Sequence, residues 1–389
     1  AWCLVRAWSV ARSAASRPAP WRPATELSPP RARILLSRPM PTTELRSPDA
    51  RGTMSAGRVV LSAALVVMAV ALTVLGGFDL EGARMTLGRA QSATWLALLP
   101  FALLLTVDAT AWAIALDVPP SARVLGRLIQ ARLGIEAVSL TVPGSILVAD
   151  GLAPMILGRA ANLPVSAAVA GVAIKKWGII LGHVVVLWLA AVVGGSYFER
   201  VAERGGVSFA PVPTLLISGA VALGMAAWLW VVLSHGAVER LRRVLGRAPF
   251  GWMRSLMARA AEGAARADTH AHAFFGGPRA RVWTLVAVST LVWLAESLEV
   301  YVLFRILGAN PSPADVLAME ALLTVVRSLA FFSPGGLGAQ EFAYLTLIPP
   351  LLGVEGAALA SGFVVLRRLR DVVTIGLGYL SLATRVARA

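Results

Sequence analysis

The chain has 389 residues, of which 57% are hydrophobic and only 15% charged, and its mean hydropathy is +0.72. Soluble proteins carry roughly 25% charged residues, so this composition excludes a soluble globular domain and points to a polytopic membrane protein. The net charge of +15 comes from arginines gathered in a tail and one loop, which the positive-inside rule explains better than nucleic-acid binding does.

A lone cysteine, Cys3, excludes an internal disulfide, and His183, His235, His270 and His272 offer no ligand spacing for a metal beyond one histidine pair in a hydrophilic stretch. We expect no cofactor, no metal and no nucleic-acid partner. Residues 1–57 are rich in Arg, Pro, Ser and Ala without helical periodicity and read as a disordered tail. They lack a starting Met, whereas Met54 opens a more conventional beginning, so the upstream stretch is expected to reflect a misplaced start.

From there to the C-terminus, residues 58–389 read as one transmembrane domain. Apolar runs at 59–77, 95–116, 163–194, 213–234, 282–307 and 354–383 are each long enough to cross, which takes about 20 residues. Backbone groups satisfied within each segment make these helices, so the fold class is all-α, a polytopic membrane helix bundle. Two further apolar stretches, 133–161 and 316–352, are interrupted by Pro143-Gly144 and by Pro334-Gly335-Gly336.

Ten arginines against three acids precede Val59, and the 237–281 stretch carries nine arginines against Glu239, Glu262 and Asp268. Both should be cytoplasmic, and the 236–281 segment becomes a basic linker between two halves. The sides agree only if 133–161 enters and leaves on one face. This gives about six full crossings plus two re-entrant hairpins in an inverted-repeat arrangement, with both termini cytoplasmic.

The two halves match in order. Asp150 lies seven residues after Pro143, and Glu341 seven after Pro334. Further on, "GVAIKKWGIIL" in the first half sits where "FVVLRRLRDVV" sits in the second, with a one-residue slip. Paired Pro/Gly-interrupted segments of this kind point to a midplane binding site in transporters.

Charges inside these runs need a reason. Arg367, Arg368, Arg370 and Asp371 lie in the middle of the last run, and Lys175 and Lys176, the only lysines, lie in the middle of the third. Each costs about 2.5–3.5 kcal/mol at a bilayer centre, so they must face protein, water or a polar ligand. Arg367, Arg370 and Asp371 share one helical face, with Arg368 pointing about 100° away.

Lys175, Lys176, Arg367, Arg368, Arg370, Glu341 and Asp150 are therefore candidate substrate-binding residues. Pro143, Gly144, Pro334, Gly335, Gly336 and Gly338 are candidate hinges and backbone donors, since a glycine-rich break exposes N–H groups at a half-helix start. Glu296, Glu299 and Asp371 are candidate charge partners. Two other readings stay open: the charges are structural pairs between packed helices, or the glycines only allow close helix packing. Asp108 reads as a buried cap or a cavity residue, and Trp95, Trp112, Trp188 and Trp283 as interfacial anchors. No nucleophile with its base, metal cluster or nucleotide loop is visible, so an enzyme is not expected.

The element "SPGGLGAQE", followed about thirty residues later by a basic-capped helix, resembles the lysylphosphatidylglycerol synthase transmembrane region family. The motif residues are Pro334, Gly335, Gly336, Gly338 and Glu341. The family's later arginine falls on Arg367 or Arg368; in the first half Pro143 fits its proline, while Asp150 replaces or displaces the usual acid. The resemblance implies a flippase-like membrane domain, without the cytosolic aminoacyl-transferase domain that some members carry. The function it implies is translocation of a lipid between leaflets of a bacterial inner membrane; the candidate basic residues would attract an anionic headgroup, and Glu341 and Asp150 an amine one. Alternatives are a secondary transporter of a small anionic solute, or a non-catalytic subunit working with lipid-biosynthesis enzymes of a glycolipid or hopanoid pathway.

Overall fold

The computed structural model describes residues 73, 75–90, 96, 98–142, 145–204, 210–234, 263, 265–329, 333 and 336–386, all within one compact unit that spans 62–389. The expectations placed on the N-terminal tail, Met54, Cys3, Trp95, His235 and most of the 236–281 linker lie outside the described residues. So do Pro143, Gly144, Pro334 and Gly335.

The elements are helices: α1 Leu80–Ala90, α2 Leu98–Ala115, α3 Ala122–Thr141, α4 Ser145–Ala161, α5 Val165–Val193, α6 Gly195–Arg204, α7 Pro211–Ser234, α8 Arg279–Ile306, α9 Pro313–Leu329, α10 Ala339–Leu352 and α11 Gly356–Val386. A helical stretch at 265–275 precedes α8, a single 3-10 turn Gly353–Glu355 joins α10 to α11, and no strand occurs among the described residues. The all-helical fold is thus as expected for a chain whose backbone must satisfy itself inside a bilayer.

Four of these helices, α2, α5, α7 and α8, are long and apolar enough to cross a membrane. At 31 residues α11 is about 46 Å long, which also suffices, but it carries Arg367, Arg368, Arg370 and Asp371 along its middle. The run expected at 59–77 falls almost wholly outside the described residues.

Local sequence sets the helix ends. Pro211 and Pro313 occupy the first positions of α7 and α9, and Pro164 and Pro278 immediately precede α5 and α8, where a missing N–H costs nothing. The Ser121 hydroxyl caps α3 by accepting from the Val124 N–H at 3.4 Å, and the Ser312 hydroxyl accepts from the Asp315 N–H at 3.1 Å at the start of α9. Pro349 and Pro350 weaken the end of α10, and Gly353 stops it with a φ of 72°.

Packing follows a simple scheme. α3 folds back on α4 and α9 on α10; α3 also lies along α11, α9 lies along α5, and α2 crosses α8. One core gathers Phe304, Tyr344 and Phe363, with ring centroids 5.0 Å apart for Phe304 and Phe363 and 4.7 Å for Tyr344 and Phe363. A second gathers Leu128, Leu157 and Trp112 between α2, α3 and α4. In lipid such cores hold by dispersion and close approach more than by expulsion of water. Helices approach closely at glycines: a Cβ on Gly378 of α11 would run into the Leu133 carbonyl oxygen of α3, and one on Gly182 of α5 would stand 2.7 Å from the Ser289 carbonyl carbon and the Thr290 nitrogen of α8.

Trp188 and Trp283 are on the outer surface, at 38% and 67% exposure. Trp112 is not; it is buried, and its indole N–H donates to Asp108 at 3.1 Å, so it is a core residue rather than an interfacial anchor.

Candidate functional site

A cavity of about 300 Å³ lies between α2, α3, α8, α9 and α11, beside the glycine-rich turn that leads into α10. Its apolar wall comes from residues such as Phe101, Leu104, Leu133 and Val292. Its polar wall holds Arg132, Arg327, Arg367 and Arg370 facing Asp108, Glu136, Glu296 and Asp371, with Ser139, Gln340 and Thr374 between them. Four guanidiniums and four carboxylates in one helical bundle form a polar chamber that lipid could not solvate.

The charges interlock. Arg367 is 3% exposed and spends its two Nη groups on Glu296 Oε1 at 3.1 Å and Glu299 Oε1 at 3.3 Å. Arg370 donates to both oxygens of Glu299, at 2.8 and 3.1 Å, and to Asp371 at 2.7 Å, while its guanidinium carbon sits 5.2 Å from the centre of the Phe101 ring. Arg327 of α9 donates twice to Glu296 Oε1, at 2.8 and 2.7 Å. These bonds tie α8, α9 and α11 together around the chamber.

Arg368 points elsewhere, as its helical phase requires. Its Nε donates to Glu341 and its Nη1 to Asp371 at 2.7 Å, and it does not line the cavity. Glu341 is buried near the start of α10, where its other oxygen accepts from the Gly338 N–H at 2.8 Å. A carboxylate in a helix's first turn is favoured by the exposed N–H groups there. Gly336 and Gly338 have φ of 68° and 83°, a left-handed backbone that only glycine adopts without strain, and Gly336 lines the cavity.

In the first half, Asp108 of α2 is 3% exposed and receives Lys175 at 2.7 Å, Arg132 at 3.1 Å and the Trp112 indole. Lys175 also lies 4.9 Å over the Trp112 ring and reaches the cavity only through Asp108. Lys176 pairs with Asp150 at 2.6 Å, both side chains substantially exposed, and neither lines the cavity.

Of the residues singled out from sequence, the fold therefore gathers Asp108, Arg367, Arg370, Asp371, Glu296 and Gly336 at the chamber. It places Lys175, Arg368, Glu299 and Glu341 behind it as partners, and leaves Lys176 with Asp150 apart. Glu296 and Glu299 both make ion pairs with the arginines of α11. Sequence reasoning missed Arg132, Glu136 and Arg327. One signal was available: Glu136 and Arg327 each stand seven residues before the proline of their break, mirroring Asp150 and Glu341 seven residues after it.

No curated protein and no solved structure matches the chain. The family model described as lysylphosphatidylglycerol synthase TM region matches residues 58–378, a segment that contains every charged residue of the chamber. The chain thus belongs to the lysylphosphatidylglycerol synthase transmembrane region family and is a multi-pass membrane protein.

Proposed function

We propose that the protein is a lipid translocase of the bacterial inner membrane, not itself an enzyme, and that the chamber receives a polar headgroup while the acyl chains stay in lipid. The observation that carries this reading is the cavity of about 300 Å³ lined by four arginines and four carboxylates, two of its walls being α2 and α8, helices long and apolar enough to cross a membrane. Its volume is at the lower end for ligand sites, the size of a headgroup rather than a whole lipid. Arginines suit a phosphate, and the carboxylates suit an amine.

An inverted repeat supplies the movement in this proposal. Residues 98–193 and 279–386 each run as a long helix, a broken pair and a second long helix. Lys176 with Asp150 and Arg368 with Glu341 then become equivalent pairs, each linking the second arm of a broken pair to the following helix. Both broken pairs would be re-entrant from opposite faces, with the termini cytoplasmic, and their alternating exposure would carry the headgroup across.

The test is a leaflet-exchange assay with the full chain in vesicles containing labelled phosphatidylglycerol or phosphatidylethanolamine. The expected result is faster exposure of inner-leaflet label than in protein-free vesicles, lost in Arg370→Gln. Absence of exchange with either headgroup, together with uptake of free phosphate, would transfer the site to a small anionic solute.

A further inference from the structure

Behind the chamber lies a carboxyl group that the ion-pair network leaves over. Seven basic side chains make the ion pairs of the chamber and of the separate Lys176 pair: Arg132, Lys175 and Lys176, then Arg327, Arg367, Arg368 and Arg370. They are met by seven carboxylates, Asp108, Glu136 and Asp150, then Glu296, Glu299, Glu341 and Asp371. Glu320 of α9 is the eighth acid. It is 3% exposed, and its Oε1 accepts from the Tyr344 hydroxyl at 3.0 Å.

Its Oε2 is buried and accepts no hydrogen bond; the nearest cation is Arg327 at 3.8 Å, whose terminal nitrogens are already spent on Glu296. A buried carboxylate with one oxygen bare and no cation of its own costs far more than the neutral carboxylic acid does in the same place.

The surroundings agree. From α5, His183 bonds Thr324 at 2.9 Å and stacks on Trp293 with ring centroids 4.4 Å apart. The Thr324 hydroxyl donates to the Ala321 carbonyl at 2.8 Å, so the His183 Nε2 is the donor in their bond. From α8 comes Glu296, already shared by two arginines; from α10, Tyr344; from α11, Arg367, committed to Glu296 and Glu299. From α6, Arg200 is committed to Asp315 and the Tyr197 hydroxyl to the Leu347 carbonyl, and α7 has no titratable side chain. No group facing Glu320 supplies it with a spare positive charge.

A second cavity, of about 10 Å³, is lined by Glu320, His183, Thr324 and Glu296. That is the lower limit for one water, and Glu296 also lines the main chamber.

We propose that Glu320 is a proton-binding site that couples movement through the chamber to a proton gradient. The coupling rests on the translocase reading; the proton site itself does not. In the neutral state Glu320 is a carboxylic acid and Arg327 belongs to Glu296. When an amine headgroup draws Glu296 away and so frees Arg327, Glu320 releases its proton to water reaching the small cavity, and the carboxylate takes Arg327. Reversal reloads the proton from water.

Two measurements on the purified full chain separate these claims. Infrared spectra at neutral pH should show the carbonyl stretch of a protonated, buried carboxylic acid, absent in Glu320→Gln; the same band in both proteins overturns the proton site. In vesicles with an imposed pH gradient, leaflet exchange by the parent should change several-fold against the no-gradient rate, while Glu320→Gln exchanges at one rate in both. A variant that still follows the gradient overturns the coupling. If the parent exchanges no lipid at all, the translocase reading fails while the infrared result still decides the proton site.

Discussion

Arg327 of α9 and Arg367 of α11 donate to the same atom, Oε1 of Glu296 on α8, at 2.7 and 3.1 Å. One carboxylate thus holds two guanidiniums from elements that share no other bond in the chamber. The attraction between charges is strong where water is scarce, and so is the cost of stranding one of them. Glu296→Gln keeps the shape and removes the charge, leaving Arg327 with only the distant Glu320. Removing one partner of a buried pair costs about 3–5 kcal/mol. The variant should unfold at lower temperature or denaturant concentration than the parent; an unchanged midpoint would mean that Glu296 is solvated and the chamber wet.

The two lysines make a sharper comparison, because they are neighbours in sequence and differ in place. Lys175 is the nearest charge to Asp108, with its side chain 12% exposed, whereas Lys176 and Asp150 are 44% and 39% exposed. Lys175→Met should lower the unfolding midpoint and slow leaflet exchange, because Arg132 is then the one cation bonded to Asp108, beside the Trp112 indole, and the chamber wall shifts. Lys176→Met should leave both within error. Equal loss in the two variants would bring Lys176 into the site after all.

Gly338 carries two duties: its φ of 83° turns the chain into α10, and its N–H donates to Glu341, which in turn holds Arg368. An alanine there meets the left-handed penalty of about 1–2 kcal/mol. Gly376, in the interior of α11, has open space around its Cβ position and no positive φ. There alanine should be neutral or stabilising by up to about 1 kcal/mol, the usual helix preference. Denaturant unfolding of Gly338→Ala and Gly376→Ala, compared with the parent, checks both signs.

How much of this was legible beforehand depends on which physical cue each residue gave. The mid-helix charges of α11 announced themselves because lipid forbids them, and their helical phase separated Arg367, Arg370 and Asp371 from Arg368 as the structure does. Spacing from the two breaks pointed to Asp150 and Glu341, which turned out to be bonded to Lys176 and Arg368. Arg132 and Glu136 were hidden because they sit at the edge of an apolar stretch, where a charge reads as a loop boundary, although they are an i, i+4 pair inside α3. Trp112 misled for a related reason: a tryptophan in an apolar run suggests an interface, and only tertiary packing reveals that its N–H is wanted by a buried aspartate.

The chamber itself can be tested without touching a charge. Ser139 of α3 lines it and makes no ion pair, so Ser139→Trp places an indole in a space of about 300 Å³ while leaving every arginine and carboxylate in place. Gly126, on the same helix but with open space around its Cβ position, serves as the control for a bulky side chain on α3. If headgroups pass through the chamber, Ser139→Trp should reduce leaflet exchange at least tenfold, and Gly126→Trp should leave it near the parent rate, both proteins keeping the parent's unfolding midpoint. Tryptophan is the stricter choice because overpacking reports itself as lost stability, typically about 1–3 kcal/mol. A stable Ser139→Trp protein with undiminished exchange would place the path outside the chamber, along the surface of the bundle.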